Sequence, residues 1–158
     1  HAGILIRRIA FKMWFAKTNY SALPWVTYTD PALAHVGMTL DKAVKKHGKD
    51  NVKTISKMLE DNDRAKTERQ TKGTIKIIAL KNGKILGVSI LAPHAGDLIG
   101  IWTLAITKKM KLKDIAGIIA PYPTLGEINK HVAGEWYKES LFSNKTKKLV
   151  KILQRLPF

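Results

Sequence analysis

The firmest pattern of apolar and polar positions lies in the middle of the chain. Thr74–Leu80 and Lys84–Leu91 are rich in β-branched and apolar residues and are joined by Lys81-Asn82-Gly83. Asn-Gly between two such runs predicts a hairpin with a type I′ turn, since both residues tolerate positive φ. Leu23–Tyr28 reads as a short strand ended by Asp30-Pro31. Val52–Met58 sets Val52, Thr54 and Ser56 against Lys53, Ile55 and Lys57, a weakly apolar alternation that predicts an edge strand. Asn62–Thr71 is strongly polar and is expected to be a loop.

Helical spacing governs the rest. His1–Lys17 is dense in apolar residues, but Arg8 and Lys12 fall among them, so the expectation is a helix packed on more than one side. A second helix is expected behind Thr39 as N-cap, through Lys42–Lys46 to Gly48. Asp97–Met110 places Leu98, Ile101, Trp102, Ala105 and Ile106 on one side, with Asp97 complementing the positive helix start. Leu112–Ile119 reads as a short helix. After Pro121-Tyr122-Pro123, Thr124 and Glu127 have the spacing of a capping box opening a helix to about Tyr137. Asn144–Leu156 carries Leu149, Ile152, Leu153 and Leu156 at i, i+3, i+4 and i+7. Trp25, Trp102 and Trp136 sit in apolar patterns, as core or interface residues do. Strands grouped ahead of helices predict an α+β fold: a largely antiparallel sheet with helices packed on one side.

Composition narrows the chemistry. Of 158 residues, 45% are apolar and 25% charged, the profile of an ordinary globular domain. The absence of cysteine excludes disulfides, thiolate metal sites and thiol chemistry within this chain. No apolar run approaches the roughly 20 residues of a membrane span, no signal-peptide layout is visible, and a cytoplasmic location is expected. The charge is the anomaly: 28 Lys and Arg against 12 Asp and Glu give +16. Such a balance raises the alternative of a basic binding module for nucleic acid or an anionic membrane surface. Against nucleic acid, no cationic cluster is interleaved with exposed aromatic positions.

Phosphate-cradling glycine motifs and H-E-x-x-H are missing, and the five histidines are scattered without metal-ligand spacing. No metal site is expected. The unusual stretch is Ala120-Pro121-Tyr122-Pro123-Thr124-Leu125-Gly126-Glu127, where two prolines stiffen the backbone before a helix and an aromatic-Pro bond is a reasonable place for a cis peptide. On spacing alone it is either a rigid helix entry or a functional loop.

Several blocks in order carry a resemblance. Ser21-Ala22-Leu23-Pro24-Trp25-Val26-Thr27-Tyr28-Thr29-Asp30-Pro31, with Ala34 and Val36-Gly37, is followed by Gly73-Thr74-Ile75-Lys76 and Lys84-Ile85-Leu86-Gly87. His94-Ala95-Gly96-Asp97-Leu98-Ile99 and Tyr122-Pro123-Thr124-Leu125-Gly126-Glu127 complete the series. Together they resemble the C-terminal dimerisation domain of the pyridine nucleotide-disulfide oxidoreductases, including dihydrolipoamide dehydrogenase and mercuric reductase. The resemblance implies an interface-domain fold over residues 21–137. Residues 1–20 are then the tail of an upstream FAD-domain helix and linker, and 138–158 a basic amphipathic C-terminal helix. It also implies a homodimer, with FAD and NAD(P)H held by upstream domains of a larger parent and neither bound by this segment alone.

In the family the loop matching Tyr122-Pro123 enters the partner subunit's active site, with a histidine at the Tyr122 position oriented by the glutamate matching Glu127. The resemblance thus assigns Tyr122 and Glu127 as catalytic candidates and Tyr122 and Pro123 as flavin contacts. Tyr122 departs from the pattern: a phenol with a pKa near 10 does not shuttle protons at neutral pH as imidazole does. It retains the capacity to donate a hydrogen bond. The C-terminal cysteine pair of true mercuric reductases is absent. For the last helix two placements stand open: its Leu/Ile stripe packs back onto the domain, or it lies on an anionic membrane as a peripheral contact.

Overall fold

The computed structural model describes residues 2–155. Its strands are β1 (Trp25–Thr27), β2 (Ala32–Gly37), β3 (Val52–Met58), β4 (Thr74–Leu80) and β5 (Ile85–Ala92). Its helices are α1 (Ala2–Ile9), α2 (Leu40–His47), α3 (Asp63–Thr67), α4 (Ala95–Leu98), α5 (Gly100–Thr107), α6 (Leu112–Ala116), α7 (Glu127–Leu141) and α8 (Asn144–Leu153). The strands form one sheet in the order β1-β2-β5-β4-β3, every neighbour antiparallel. The α+β class is as expected.

Register explains which face is buried, because residues directly opposite across an antiparallel ladder point the same way. One row runs Val36–Val88–Ile77–Ile55 and the next Val26–Ala34–Ile90–Ile75. These residues face α4, α5, α6 and α7 and form the main core with Trp102, Leu112, Ile115 and Val132. The opposite face is largely uncovered. At one end of it α2 lays Ala43 against Ile78 and Leu86, so one helix departs from the expected one-sided packing. Elsewhere that face carries His35, whose Nδ1 shares a 2.9 Å hydrogen bond with Ser89 Oγ and whose ring lies 5.5 Å from that of Trp25. At the α2 end, Gly37 has φ +87° and stands opposite Gly87. A Cβ on Gly37 would run into the Leu86 carbonyl oxygen, so the close β2–β5 approach requires glycine there.

Several local expectations change. The hairpin forms, but among its turn residues only Gly83 has positive φ (81°). The three-residue loop is a type I turn, with Gly83 N–H donating to the Leu80 carbonyl at 2.8 Å, followed by a left-handed glycine. Strand β2 was not expected from its sequence, because alanine is a poor strand former. Ala34 is nevertheless fully buried, on a strand against which α4 and α5 pack. Asn62–Thr71 is not all loop, since α3 forms within it behind an Asn62 cap. The single helix expected over Asp97–Met110 is divided at Ile99 into α4 and α5, and the helix at Leu112 ends at Ala116.

The termini differ most. The N-terminal helix is confined to Ala2–Ile9 and buries no residue, so packing on more than one side is not what this chain provides. His1 lies outside the described residues. The stripe on α8 does not pack back onto the domain: Leu149, Ile152 and Leu153 keep more than half their surface exposed. Leu156, its fourth member, is outside the described residues.

Edge strand β3 explains its own weak alternation. The face it turns to α7 is Lys53-x-Ile55-x-Lys57, and the lysine stems pack while their heads find acids. Lys53 Nζ lies 5.7 Å from the Trp136 ring centroid and 3.4 Å from Glu139. Lys57 Nζ lies 3.0 Å from Asp61 and 3.4 Å from Glu135, which also pairs with Lys138 at 2.7 Å. Burial alone would lower the Lys57 pKa, but hydrogen bonds to Asp61 and Glu135 raise it. Glu135 is held below its ordinary value, first by the Lys138 hydrogen bond and also by Lys57, against the burial that pushes it up.

Two outcomes follow. A carboxylate with a depressed folded pKa stabilises fully above its unfolded value and loses that contribution as pH falls through the lower folded value. Denaturant unfolding should therefore show stability dropping on the acid side of 4.5, the ordinary glutamate value, and Glu135→Gln should flatten part of that drop. Separately, the fully buried Trp102 donates from Nε1 to Asn129 Oδ1 at 2.6 Å. Trp102→Phe strands that oxygen and opens space, and should cost about 2–4 kcal/mol in the same assay.

Candidate functional site

The Pro121–Gly126 segment crosses between α6 and α7 at the surface. The Tyr122-Pro123 peptide, which the sequence marked as a reasonable place for a cis bond, is cis, as is Asp30-Pro31. Thr124 Oγ1 does not cap α7; it donates to the Pro121 carbonyl at 2.7 Å and closes the loop on itself. Helix α7 begins at Glu127 behind Gly126, without a side-chain cap, so the expected capping box is not formed. The Thr124 hydroxyl is turned back to the Pro121 carbonyl, and α7 begins two residues later than the spacing implies.

A second segment, about 60 residues earlier, holds this loop. Asn62 is almost fully buried. Its Oδ1 accepts from Ala65 N at 3.0 Å, capping α3, while its Nδ2 donates to the Thr124 carbonyl at 3.0 Å. One amide thus satisfies a helix start and pins the loop. Next to it, Asp63 Oδ2 accepts the Tyr122 hydroxyl at 3.1 Å, and Asp63 Oδ1 pairs with Lys66 at 3.2 Å. These contacts account for both shifts. Asp63 is held below its ordinary value by Lys66 and then by the Tyr122 hydroxyl. Tyr122 is pushed up, first by its hydrogen bond to Asp63, with Glu127 adding to the effect.

The sequence candidates separate in space by partner. Tyr122 is exposed and turns to Asp63, whereas the Glu127 side chain is mostly covered and pairs with His131, Oε1 to Nε2 at 3.5 Å. Tyr122 and Glu127 do not hydrogen-bond to each other. Pro123 stands exposed beside Tyr122. The loop is flanked by two clefts. An apolar one of about 340 Å³ is lined by Leu98, Ile101, Ile118, Ile119 and Pro121, with Asp97 at its margin. A second, of about 280 Å³, is lined by Arg64, Glu68, His94, Pro123 and Leu125. Among the described residues no cluster of three His, Asp or Glu has the arrangement of a metal site.

Asn62 and Asp63 escaped sequence reasoning because they sat in a segment read as solvent loop. The available signal was Asn62 ahead of Asp63-Arg64-Ala65, an Asx cap before a short helix.

Residues 23–133 match the family described as pyridine nucleotide-disulphide oxidoreductase, dimerisation domain. The chain belongs to that family. A dihydrolipoyl dehydrogenase of Schizosaccharomyces pombe is 35% identical over 125 residues, covering 78% of this chain and 24% of the relative. A mercuric reductase of Streptomyces lividans is 39% identical over 116 residues, covering 73% of this chain and 24% of the relative. The chain therefore spans about a quarter of the length of the relatives it matches. Among solved structures, the flavoprotein disulfide reductase RclA of Escherichia coli aligns with a TM-score of 0.73 at 20% identity, over 84% of this chain and 30% of RclA. LpdA of Mycobacterium tuberculosis aligns with a TM-score of 0.69 at 24% identity, over 81% of this chain and 28% of LpdA. At those identities the structures speak to fold. Nothing in the family match or the relatives supports the alternative of a basic nucleic-acid or membrane module.

In this dimerisation domain, Asn62 is the tie that fixes the loop. Asn62→Ala should cost about 1–2 kcal/mol through the lost cap and the stranded carbonyl. Amide hydrogen exchange should quicken in α3 and around Thr124 together while the β4–β5 hairpin stays protected.

Proposed function

We propose that this dimerisation domain serves a FAD- and NAD(P)H-dependent disulfide oxidoreductase and works as a homodimer, projecting Tyr122-Pro123-Thr124-Leu125-Gly126-Glu127 toward the partner subunit's flavin and disulfide. The observation that carries this reading is the loop itself. It is exposed at its tip, with Tyr122 at 68% and the adjoining Ile119 at 97% exposure, yet is braced from behind by Asn62 and Asp63. A site meant to complete another chain's active centre needs both properties.

The residues fit an edge contact with a flavin better than containment of one. The chain has no glycine-rich phosphate cradle, so the dinucleotide portion is held by upstream domains. The apolar cleft beside the loop and the ring of Pro123 suit a flat, partly apolar group approaching from outside. When bound, FAD supplies the electron transfer between nicotinamide and disulfide. What this chain supplies is placement: the prolines fix the backbone, Tyr122 presents its phenol, and Glu127 with His131 sets charge behind the loop. Tyr122 and Pro123 are the flavin-side contacts in this reading, and Tyr122 and Glu127 the catalytic candidates.

Sedimentation of the 158-residue chain at low and high salt tests the first half. The expected result is a salt-resistant species near twice 17.7 kDa, because an apolar interface is not screened as charge pairs are. A single-chain mass here and in the flavin-loaded parent overturns the reading. In that parent Tyr122→Phe, which keeps the ring and removes the hydroxyl, should lower turnover about 10-fold, the worth of one hydrogen bond, while leaving the dimer mass unchanged.

A further inference from the structure

A phenol has one proton to donate and lone pairs to accept with. In this structure the Tyr122 proton is already committed to Asp63 Oδ2. Asp63 has no proton to give back: its other oxygen is paired with the Lys66 ammonium, and both contacts favour the ionised carboxylate. The direction of the hydrogen bond is therefore fixed, and only oxygen lone pairs of Tyr122 remain to face whatever approaches the loop.

The geometry that enforces this is local and doubly tied. Asn62 and Asp63 are consecutive, and both reach the same loop, one to the Thr124 carbonyl and the other to the Tyr122 hydroxyl. Because Asn62 is buried and also caps α3, the backbone that carries Asp63 is held beside the loop, within reach of the Tyr122 hydroxyl. We propose that Asp63 is a positioning residue that makes Tyr122 a hydrogen-bond acceptor, so that the loop recognises a protonated donor, a thiol S–H, in preference to a thiolate. This rests on the preceding reading of where the loop goes, and it replaces the expectation of a donating phenol.

The surrounding charges are consistent with it. On α3, Lys66 is the cation nearest to hand; on α7, Glu127 and His131 face the same region. Glu127 adds negative potential that disfavours both tyrosinate and any anion beside it. A thiol beside such an acceptor is held protonated, and a protonated thiol does not attack a disulfide. The loop would then favour release of a reduced thiol product over its reattack.

Two measurements test this. The absorbance of tyrosinate is followed against pH in the 158-residue chain, and subtracting Tyr122→Phe isolates Tyr122 from the other tyrosines. The expected midpoint lies above the ordinary phenol value of about 10; Asp63→Asn should return it to that value and Asp63→Glu should restore the rise. A midpoint unmoved by Asp63→Asn overturns the clamp. In the flavin-loaded, reduced parent, the pH midpoint for alkylation of thiols by iodoacetamide should fall by roughly a unit in Asp63→Asn. An unmoved midpoint, or no reactive thiol, overturns the acceptor role, while the dimer mass separately decides the function proposed above.

Discussion

Burying one face of a five-stranded antiparallel sheet under four helices is the constraint from which everything else in this domain follows. The rows Val36–Val88–Ile77–Ile55 and Val26–Ala34–Ile90–Ile75 leave no choice about which side of each strand meets α4–α7. A slip of one residue would expose every one of these side chains. With the sheet set, Trp102 and Asn129 lock α5 to α7 through a buried hydrogen bond, and α7 can start only where the sheet edge and α6 allow. The Tyr122 loop is the short connection left over, so its position is dictated by the core rather than by its own sequence.

That connection is nevertheless tied down by side-chain hydrogen bonds. Two side chains from a different part of the chain brace it, and each does two tasks: Asn62 caps a helix and holds a carbonyl, while Asp63 takes a lysine and a phenol. Sharing partners in this way couples α3 to the loop. A change in either is felt by the other without any rearrangement of the sheet, which is the behaviour expected of a rigid projection built on a small satellite element.

What could be read from the residues beforehand follows a physical line. The β4–β5 hairpin, the edge position of β3, the apolar side of α5 and the existence of α7 were legible because periodicity and turn chemistry are local. The blocks from Leu23 to Glu127 pointed to the family because their order, not any single motif, is distinctive. Illegible were features set by tertiary context: an alanine-rich strand made by the helices packed on it, the stretch between β3 and β4 that becomes a capped helix, and a Thr-x-x-Glu spacing whose threonine bonds the Pro121 carbonyl instead of capping. The pairing of Tyr122 with Asp63 joins residues too distant in sequence for any local pattern to show.

The lysines on β3 have one more implication. An open antiparallel sheet offers two edges onto which a second copy could add strands. One edge here turns Lys53 and Lys57 inward to the acids of α7, and the other, β1, is three residues long. A neighbouring strand would meet inward-pointing charge at the first and too short a ladder at the second. Both rims are thus built against runaway cross-β stacking: the sheet ends where its own side chains and its short last strand stop it, not where a further strand happens to be missing.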